Sequence, residues 1–294
     1  MFHWLLFLFV VFLNGNVFAD AWLQKKGRGV AIPYFGIANM SQTDSKTGGI
    51  TDNYITQYQY GFYSEYGLHE KVTVGGKFFL MQNVLVDSNY FFSRSIDANF
   101  GLDFAEFFTR GELFSTERAV ISLVALVKTP NVYTSSLMNE FDKMNDAYEL
   151  RLEFGYNFGS ANKNLQIYNA TGDFINLSFA NRINRGYDFN ENRFEFLYGC
   201  FLAQSFLLML RFQKFVYLYD KEIIFASGRG VNFEKMLFVN NAGFSKWTIS
   251  LASRVAKHTT LEWGFYQSLN DNFINTSAKN IHLYGFFASL WLDF

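Results

Sequence analysis

Apolar and polar residues alternate with a period of two through most of the chain, the spacing at which successive side chains of an extended strand point to opposite faces. The stretch from Tyr148 to Phe158 shows it most clearly. Tyr148, Leu150, Leu152, Phe154, Tyr156 and Phe158 share one face, and Glu149, Arg151, Glu153, Gly155 and Asn157 share the other. Tyr54 to Tyr66 repeats the pattern, with Tyr54, Tyr58, Tyr60, Phe62 and Tyr66 set against Asn53, Gln57, Gln59, Gly61 and Glu65. In Ile96 to Phe104, Phe100, Leu102 and Phe104 oppose Asp97, Asn99 and Asp103. Further strands are predicted at Gly29 to Ala38, Val72 to Val84, Ala119 to Val127, Phe174 to Ile183, Arg193 to Phe201, Leu207 to Tyr217, Trp247 to Arg254, Thr259 to Gln267 and Ile281 to Phe294, twelve in all. Ala119 to Val127 is almost continuously apolar and reads as a strand from its length and β-branched content. Val231 to Asn240 is a possible thirteenth, but single-chain bacterial barrels have an even number of strands, so it is read as part of a long loop from Leu218 to Lys246.

Alternation by itself fits either a soluble sandwich or a membrane barrel, and the connections separate the two. With the N-terminus in the periplasm, the predicted connections are alternately long and short, as in outer-membrane barrels. The long ones are 39–53, 85–95, 128–147, 184–192, 218–246 and 268–280; the short ones are 67–71, 202–206 and 255–258. The parity is ambiguous at 105–118 and fails at 159–173, which is too long for a periplasmic turn.

The two ends add addressing signals. Trp4 to Leu13 is a ten-residue apolar run followed by Asn14-Gly15-Asn16 and Val17-Phe18-Ala19. It falls short of the roughly 17 to 25 residues of a spanning helix and reads as a signal peptide over 1–19, with the barrel at 20–294. At the other end, Tyr284, Phe286, Ala288, Leu290, Leu292 and Phe294 share one face of a strand that closes the chain on an aromatic residue. This resembles the terminal signal read by the outer-membrane barrel assembly machinery, with Tyr284, Phe286, Leu290, Leu292 and Phe294 carrying it.

Composition supports the same class. Half of the 294 residues are hydrophobic and a fifth aromatic, with 37 Phe and 17 Tyr, yet beyond the first 20 residues no apolar run reaches helix length. Only 2 Pro are present, as paired strands require. A net charge of −1 without a basic tract gives no footprint for nucleic acid. Cys200 is the sole cysteine, so neither an intramolecular disulfide nor a multi-cysteine metal site can form; it falls on the lipid-facing parity.

Two regions point to a narrower class. Ala21-Trp22-Leu23-Gln24-Lys25-Lys26-Gly27-Arg28-Gly29 is similar to the Ala-Trp-x-x-x-Lys-Gly-x-Gly start of barrels related to the phenol-degradation meta-pathway transporter family, with Arg28 where an acidic residue is expected. Lys246-Trp247-Thr248-Ile249, Leu261-Glu262-Trp263-Gly264-Phe265-Tyr266 and the ending Leu290-Trp291-Leu292-Asp293-Phe294 also resemble that family. The resemblance implies an outer-membrane channel that transfers small molecules.

The expected fold is therefore an all-β, closed antiparallel transmembrane barrel of about twelve strands. Its expected lumen lining comprises Lys77, Asp97, Asp103, Glu149, Arg151, Glu153, Arg182, Arg193, Glu195, Arg211 and Glu262, with Glu65 on the same parity. Interleaved signs suit a solute-selecting constriction or a salt-bridged filling that stiffens the wall. Phe79, Leu197, Phe201 and Phe215 fall on the inward parity too and suggest an apolar solute path. A barrel-embedded hydrolase is the contrary reading. Past residue 19 the histidines are His69, His258 and His282; the first two fall in periplasmic turns, and His282 with Ser277 nearby lacks any nucleophile-elbow or zinc-helix context. Gly27-x-Gly29 lacks the rest of a phosphate loop, and Asn169-Ala-Thr171 and Asn275-Thr-Ser277 are loop polarity. An adhesive role would use Phe225, Arg229, Phe233 and Lys235 in the long loop. No catalytic, cofactor-binding or metal-binding residue is expected. The expected partners are outer-membrane lipid, the assembly machinery and a small solute, with no nucleic acid, for a monomer in the bacterial outer membrane.

Overall fold

The computed structural model describes residues 21–43, 53–87, 94–129, 132–133, 146–158, 172–184, 189–203, 205–219, 244–270 and 280–294. Its strands are β1 (Gly29–Thr43), β2 (Asn53–His69), β3 (Val72–Asp87), β4 (Arg94–Ser115), β5 (Ala119–Lys128), β6 (Val132–Tyr133), β7 (Ala147–Asn157), β8 (Phe174–Asn184), β9 (Phe189–Ala203), β10 (Phe206–Tyr219), β11 (Phe244–Ala256), β12 (Thr259–Asn270) and β13 (Asn280–Asp293). Every strand but the two-residue β6 pairs antiparallel with a neighbour on each side, and β1 pairs with β13 to close a twelve-stranded barrel. Closure extends past the last strand residue: the Gly29 N–H donates to the Phe294 carbonyl at 2.9 Å and the Phe294 N–H donates to the Gly29 carbonyl at 3.1 Å. The segments 1–19 and Val231 to Asn240, the loop residues Phe225, Arg229, Phe233 and Lys235, and Ser277 lie outside the described residues.

All twelve predicted strands are present, most of them longer than the alternation alone suggested. The largest difference is at 105–118, read from sequence as a connection. β4 continues to Ser115, and the reversal occupies only 116–118, where Thr116 Oγ1 accepts the Ala119 N–H at 2.9 Å. Glu106, Arg110 and Glu112 give this stretch the polarity of a loop, yet Glu106 and Arg110 are inward positions of a strand whose outer face, at Phe107 and Leu113, is 60% exposed. The predicted loops 128–147, 184–192 and 218–246 are shortened as well, by β6, by Phe189 to Asn192 of β9 and by Phe244 to Lys246 of β11. The connection between β7 and β8 remains the long exception.

A second correction concerns Phe104. Pairing between β3 and β4 steps from Phe79↔Phe104 to Leu80↔Leu102, skipping Asp103. The extra residue is a β-bulge, which reverses parity along the bulged strand. Phe104 consequently turns into the lumen instead of joining the lipid face. Just past β5, Thr129 donates its N–H to the Ala105 carbonyl at 2.8 Å and accepts the Ala105 N–H on Oγ1 at 3.2 Å.

The exterior is a belt of large apolar side chains, among them Leu150, Phe179, Trp247, Ile249 and Phe286, while carboxylates and guanidinium groups point inward. A soluble sandwich would have the opposite polarity, so the fold is that of an outer-membrane barrel. Charging the belt should therefore be costly. Leu152→Arg, in the middle of β7, is expected to lower unfolding free energy by about 2–4 kcal/mol, read from denaturant titrations in lipid vesicles; Phe158→Arg, at the strand end, should cost much less.

Candidate functional site in the barrel lumen

Inward positions of β2 to β9 carry an ion-pair network. Arg110 on β4 joins Glu65 on β2 (Nη1 to Oε2, 2.8 Å) to Glu153 on β7 (Nε to Oε2, 2.9 Å), and Ser122 adds a hydroxyl to the same Glu153 oxygen at 3.2 Å. Arg182 on β8 joins Glu149 and Glu106, each at 2.7 Å, and Lys77 on β3 completes Glu106 at 2.7 Å. Arg151 lies between Glu149 and Glu153, while Arg193 pairs with Glu191 and reaches Glu149 at 3.4 Å. Each acid thus has a base partner on another strand or two residues along its own. Glu65 and Glu153 are each only 1% exposed. Buried charge persists at such depth only when it is paired, because isolated desolvation would cost several kcal/mol per ion.

Toward the end of the barrel where Gly29 meets Phe294, the interior turns apolar. Val30, Ile32, Phe174, Leu197, Leu207, Met209, Ala252 and Trp291 form one buried cluster, with Trp22, Tyr63 and Phe201 packed against it. Trp22 belongs to the segment preceding β1, which enters the barrel. A turn closed by the Arg28 N–H on the Lys25 carbonyl at 3.0 Å reverses the chain, and Gly27 takes φ 77°, which a glycine adopts without strain. The Gln24 N–H then donates to Thr73 Oγ1 at 2.9 Å, and Arg110 donates to the Trp22 carbonyl at 3.5 Å. Two inward glycines leave room for this segment. A Cβ on Gly67 would stand 2.2 Å from the Lys25 carbonyl oxygen, and one on Gly155 would stand 2.8 Å from Trp22 Nε1. The segment whose sequence resembles the start of a transporter family is thus the floor of the lumen.

Above this floor lies a cavity of about 610 Å³. One side is the ionic wall; the other is a ribbon of rings contributed by β12, β13, β1, β3 and β4. Ring centroids are 6.5 Å apart for Tyr266 and Phe287, 5.5 Å for Phe287 and Tyr34, 5.5 Å for Tyr34 and Phe79, and 5.0 Å for Phe79 and Phe104. Tyr34 and Tyr266 both donate their hydroxyls to Gln59 Oε1, at 3.3 and 3.2 Å, which fixes the two ring planes. Lys246 lies over Tyr266 at 4.1 Å, and Lys77 and Lys128 lie over Phe104 at 5.6 and 5.2 Å. Arg211 pairs with Glu195 at 3.1 Å, and Glu262 accepts the Ser289 hydroxyl at 2.8 Å.

The structure places Lys77, Glu149, Arg151, Glu153, Arg182, Arg193, Glu195, Arg211 and Glu262 on the inner face, with Glu65. The side chains of Asp97, Asp103 and His282 lie outside what is described. Phe79, Leu197 and Phe215 border the cavity, and Phe201 packs against the floor. Glu106, Arg110, Glu191 and Lys246 were missed, because all four fell inside stretches read as loops. Period two continues through them, with Glu106, Phe108 and Arg110 on one parity, and carrying the alternation into those polar stretches would have found them. Tyr284, Phe286 and Phe294 are exposed on the outer face, whereas Trp291 between them points in. Among the described residues no group of three His, Cys, Asp or Glu is placed to hold a metal ion.

No family model matches the sequence, and neither does any curated protein. Solved structures do resemble the fold. An outer membrane channel from Pseudomonas putida F1 superposes with a TM-score of 0.56 at 9% identity, covering 94% of this chain and 98% of that one. A NanC porin gives a TM-score of 0.48 at 7% identity over 87% of this chain and 98% of that one, and the CymD monoaromatic hydrocarbon channel gives 0.43 at 7% over 92% and 90%. At 9% identity the first likeness is one of fold, the closed transmembrane barrel expected from the alternation.

Removing Arg110 takes a guanidinium partner from two buried carboxylates, Glu65 and Glu153, so Arg110→Ala is expected to destabilise the barrel by about 3–5 kcal/mol, measured as a shift of the urea midpoint in micelles. Gly155→Leu should instead displace Trp22 and leave the wall intact. The readout is a red shift of tryptophan emission with unchanged heat-modifiable gel mobility; an unshifted spectrum would mean that Trp22 keeps its seat.

Proposed function

We propose that this barrel is a passive channel for small solutes with apolar bodies. The observation that carries the reading is the cavity of about 610 Å³, bounded by aromatic rings on one side and fixed charge on the other. That volume suits a small molecule. A barrel whose sole task was anchoring would gain by filling the space with side chains, as narrower barrels of roughly eight strands do. The apolar floor and the Trp22 segment close the direct path toward the periplasm, so passage requires that segment to shift. Catalysis has no part in this reading: most of the carboxylates and guanidinium groups of the lumen are held in ion pairs with one another.

Residues 1–19 act in this reading as a signal peptide, and the outward series ending at Phe294 serves the assembly machinery. The Phe294 ring lies over Gly29, where a Cβ would come within 2.5 Å of it, so the last residue is docked on the first strand.

The test is single-channel recording on the mature chain refolded in detergent and inserted into planar bilayers. Discrete current steps are expected, with larger steps when residues 20–27 are deleted. A compact, heat-modifiable protein that stays silent in both forms would instead make it a filled, structural barrel.

A further inference from the structure

The lumen surface is electrostatically one-sided although its charges nearly balance. Glu65, Glu149 and Glu153 lie behind the guanidinium groups they pair with and do not border the cavity. The acids that do border it are Glu106, Glu195 and Glu262, against Lys77, Lys128, Lys246 and the guanidinium groups of Arg110, Arg151, Arg182, Arg193 and Arg211. A solute in the cavity therefore meets mainly cations. The aromatic ribbon has an ammonium at each end: Lys246 over Tyr266, and Lys77 and Lys128 over Phe104. Lys77 is already held by Glu106 at 2.7 Å. Lys246 is half-buried and packs on the face of a ring, within electrostatic reach of both Arg211 and Glu195.

Resting on the channel reading, we infer that the preferred solute is an organic monoanion with a planar apolar body, its carboxylate at Lys246 and its ring on Phe287 and Tyr34. The physical reasons are separable. A carboxylate accepting from an ammonium forms a charge-assisted hydrogen bond, about twice as strong as a neutral one. A flat ring stacks on the ribbon and displaces water from apolar surface. Gln59 holds the Tyr34 and Tyr266 hydroxyls at 3.3 and 3.2 Å, so the two rings are oriented before a solute arrives and little ordering remains to be done on binding. A neutral arene would satisfy the ribbon and leave the cations in water. A compact anion such as acetate would satisfy the cations and leave the ribbon bare.

The test titrates sodium benzoate, benzyl alcohol, acetate and benzylammonium into the refolded mature barrel in detergent by calorimetry. Benzoate is expected to bind at least about tenfold more tightly than each of the others, the worth of one charge-assisted contact. Lys246→Gln should abolish that advantage over benzyl alcohol, and Lys246→Arg should retain it. Heat-modifiable mobility establishes that each variant is folded, and benzoate entry into liposomes gives a second readout if Lys246→Gln proves unstable. Equal affinity for benzyl alcohol, preference for benzylammonium, or an unaltered preference in folded Lys246→Gln would overturn the inference. Benzoate binding with silent bilayers would remove the channel reading and leave the site. Discrete currents without benzoate preference would remove the site and leave the channel.

Discussion

Inside a bilayer no water is available to pair a backbone N–H or carbonyl, so a sheet that crosses it must have no free edge. In this chain that requirement is met where the two ends of the barrel sequence meet, at the reciprocal hydrogen bonds between Gly29 and Phe294 and the long β1–β13 ladder above them. Closure then dictates the rest. Each strand has one face in lipid and one in the lumen, and a ring of twelve strands encloses more space than a single inward layer of side chains fills. Whatever occupies that space must satisfy itself, because the wall cannot supply spare polar groups.

The protein meets this with two different interiors. Near the Gly29–Phe294 closure the filling is an apolar core of the kind found in soluble domains, completed by Trp22 from the segment that folds back under β1. Higher up, along β2 to β9, the filling is ionic, and Glu65, Glu149 and Glu153 lie deeper than the bases that cover them. Paired charges at this depth add little net stability, but they fix geometry, since each partner is held from more than one direction. Glu106 and Arg182 are 76 residues apart and reach past two intervening strands, which ties remote parts of the ring together.

On β10 through β13 and β1 the described charges are sparser, with Arg211 paired to Glu195 on β9, and Tyr34, Tyr266 and Phe287 border the cavity there. These rings are aligned by hydroxyl contacts to one glutamine and by ring-to-ring packing, so the apolar surface offered to a solute is as fixed as the ionic one opposite.

Much of this was legible in the linear chain. Alternation located all twelve strands, because lipid and lumen impose opposite polarity on neighbouring residues over the full height of the wall, and parity placed Lys77, Glu149, Arg151, Glu153 and Arg182 inside. Where polar residues are dense the same rule was hidden, and Glu106, Arg110 and Lys246 were read into loops although they are inward strand positions. Other features had no local signal at all. The bulge at Asp103 that turns Phe104 inward depends on how β3 and β4 pair, and the choice of ion-pair partners depends on the register around the ring. The seat of Trp22 beside Gly155 exists only once the ring has closed. Period two is a property of each strand and can be read from its residues, whereas partners across a lumen are set by the register of the closed ring, to which every ladder contributes.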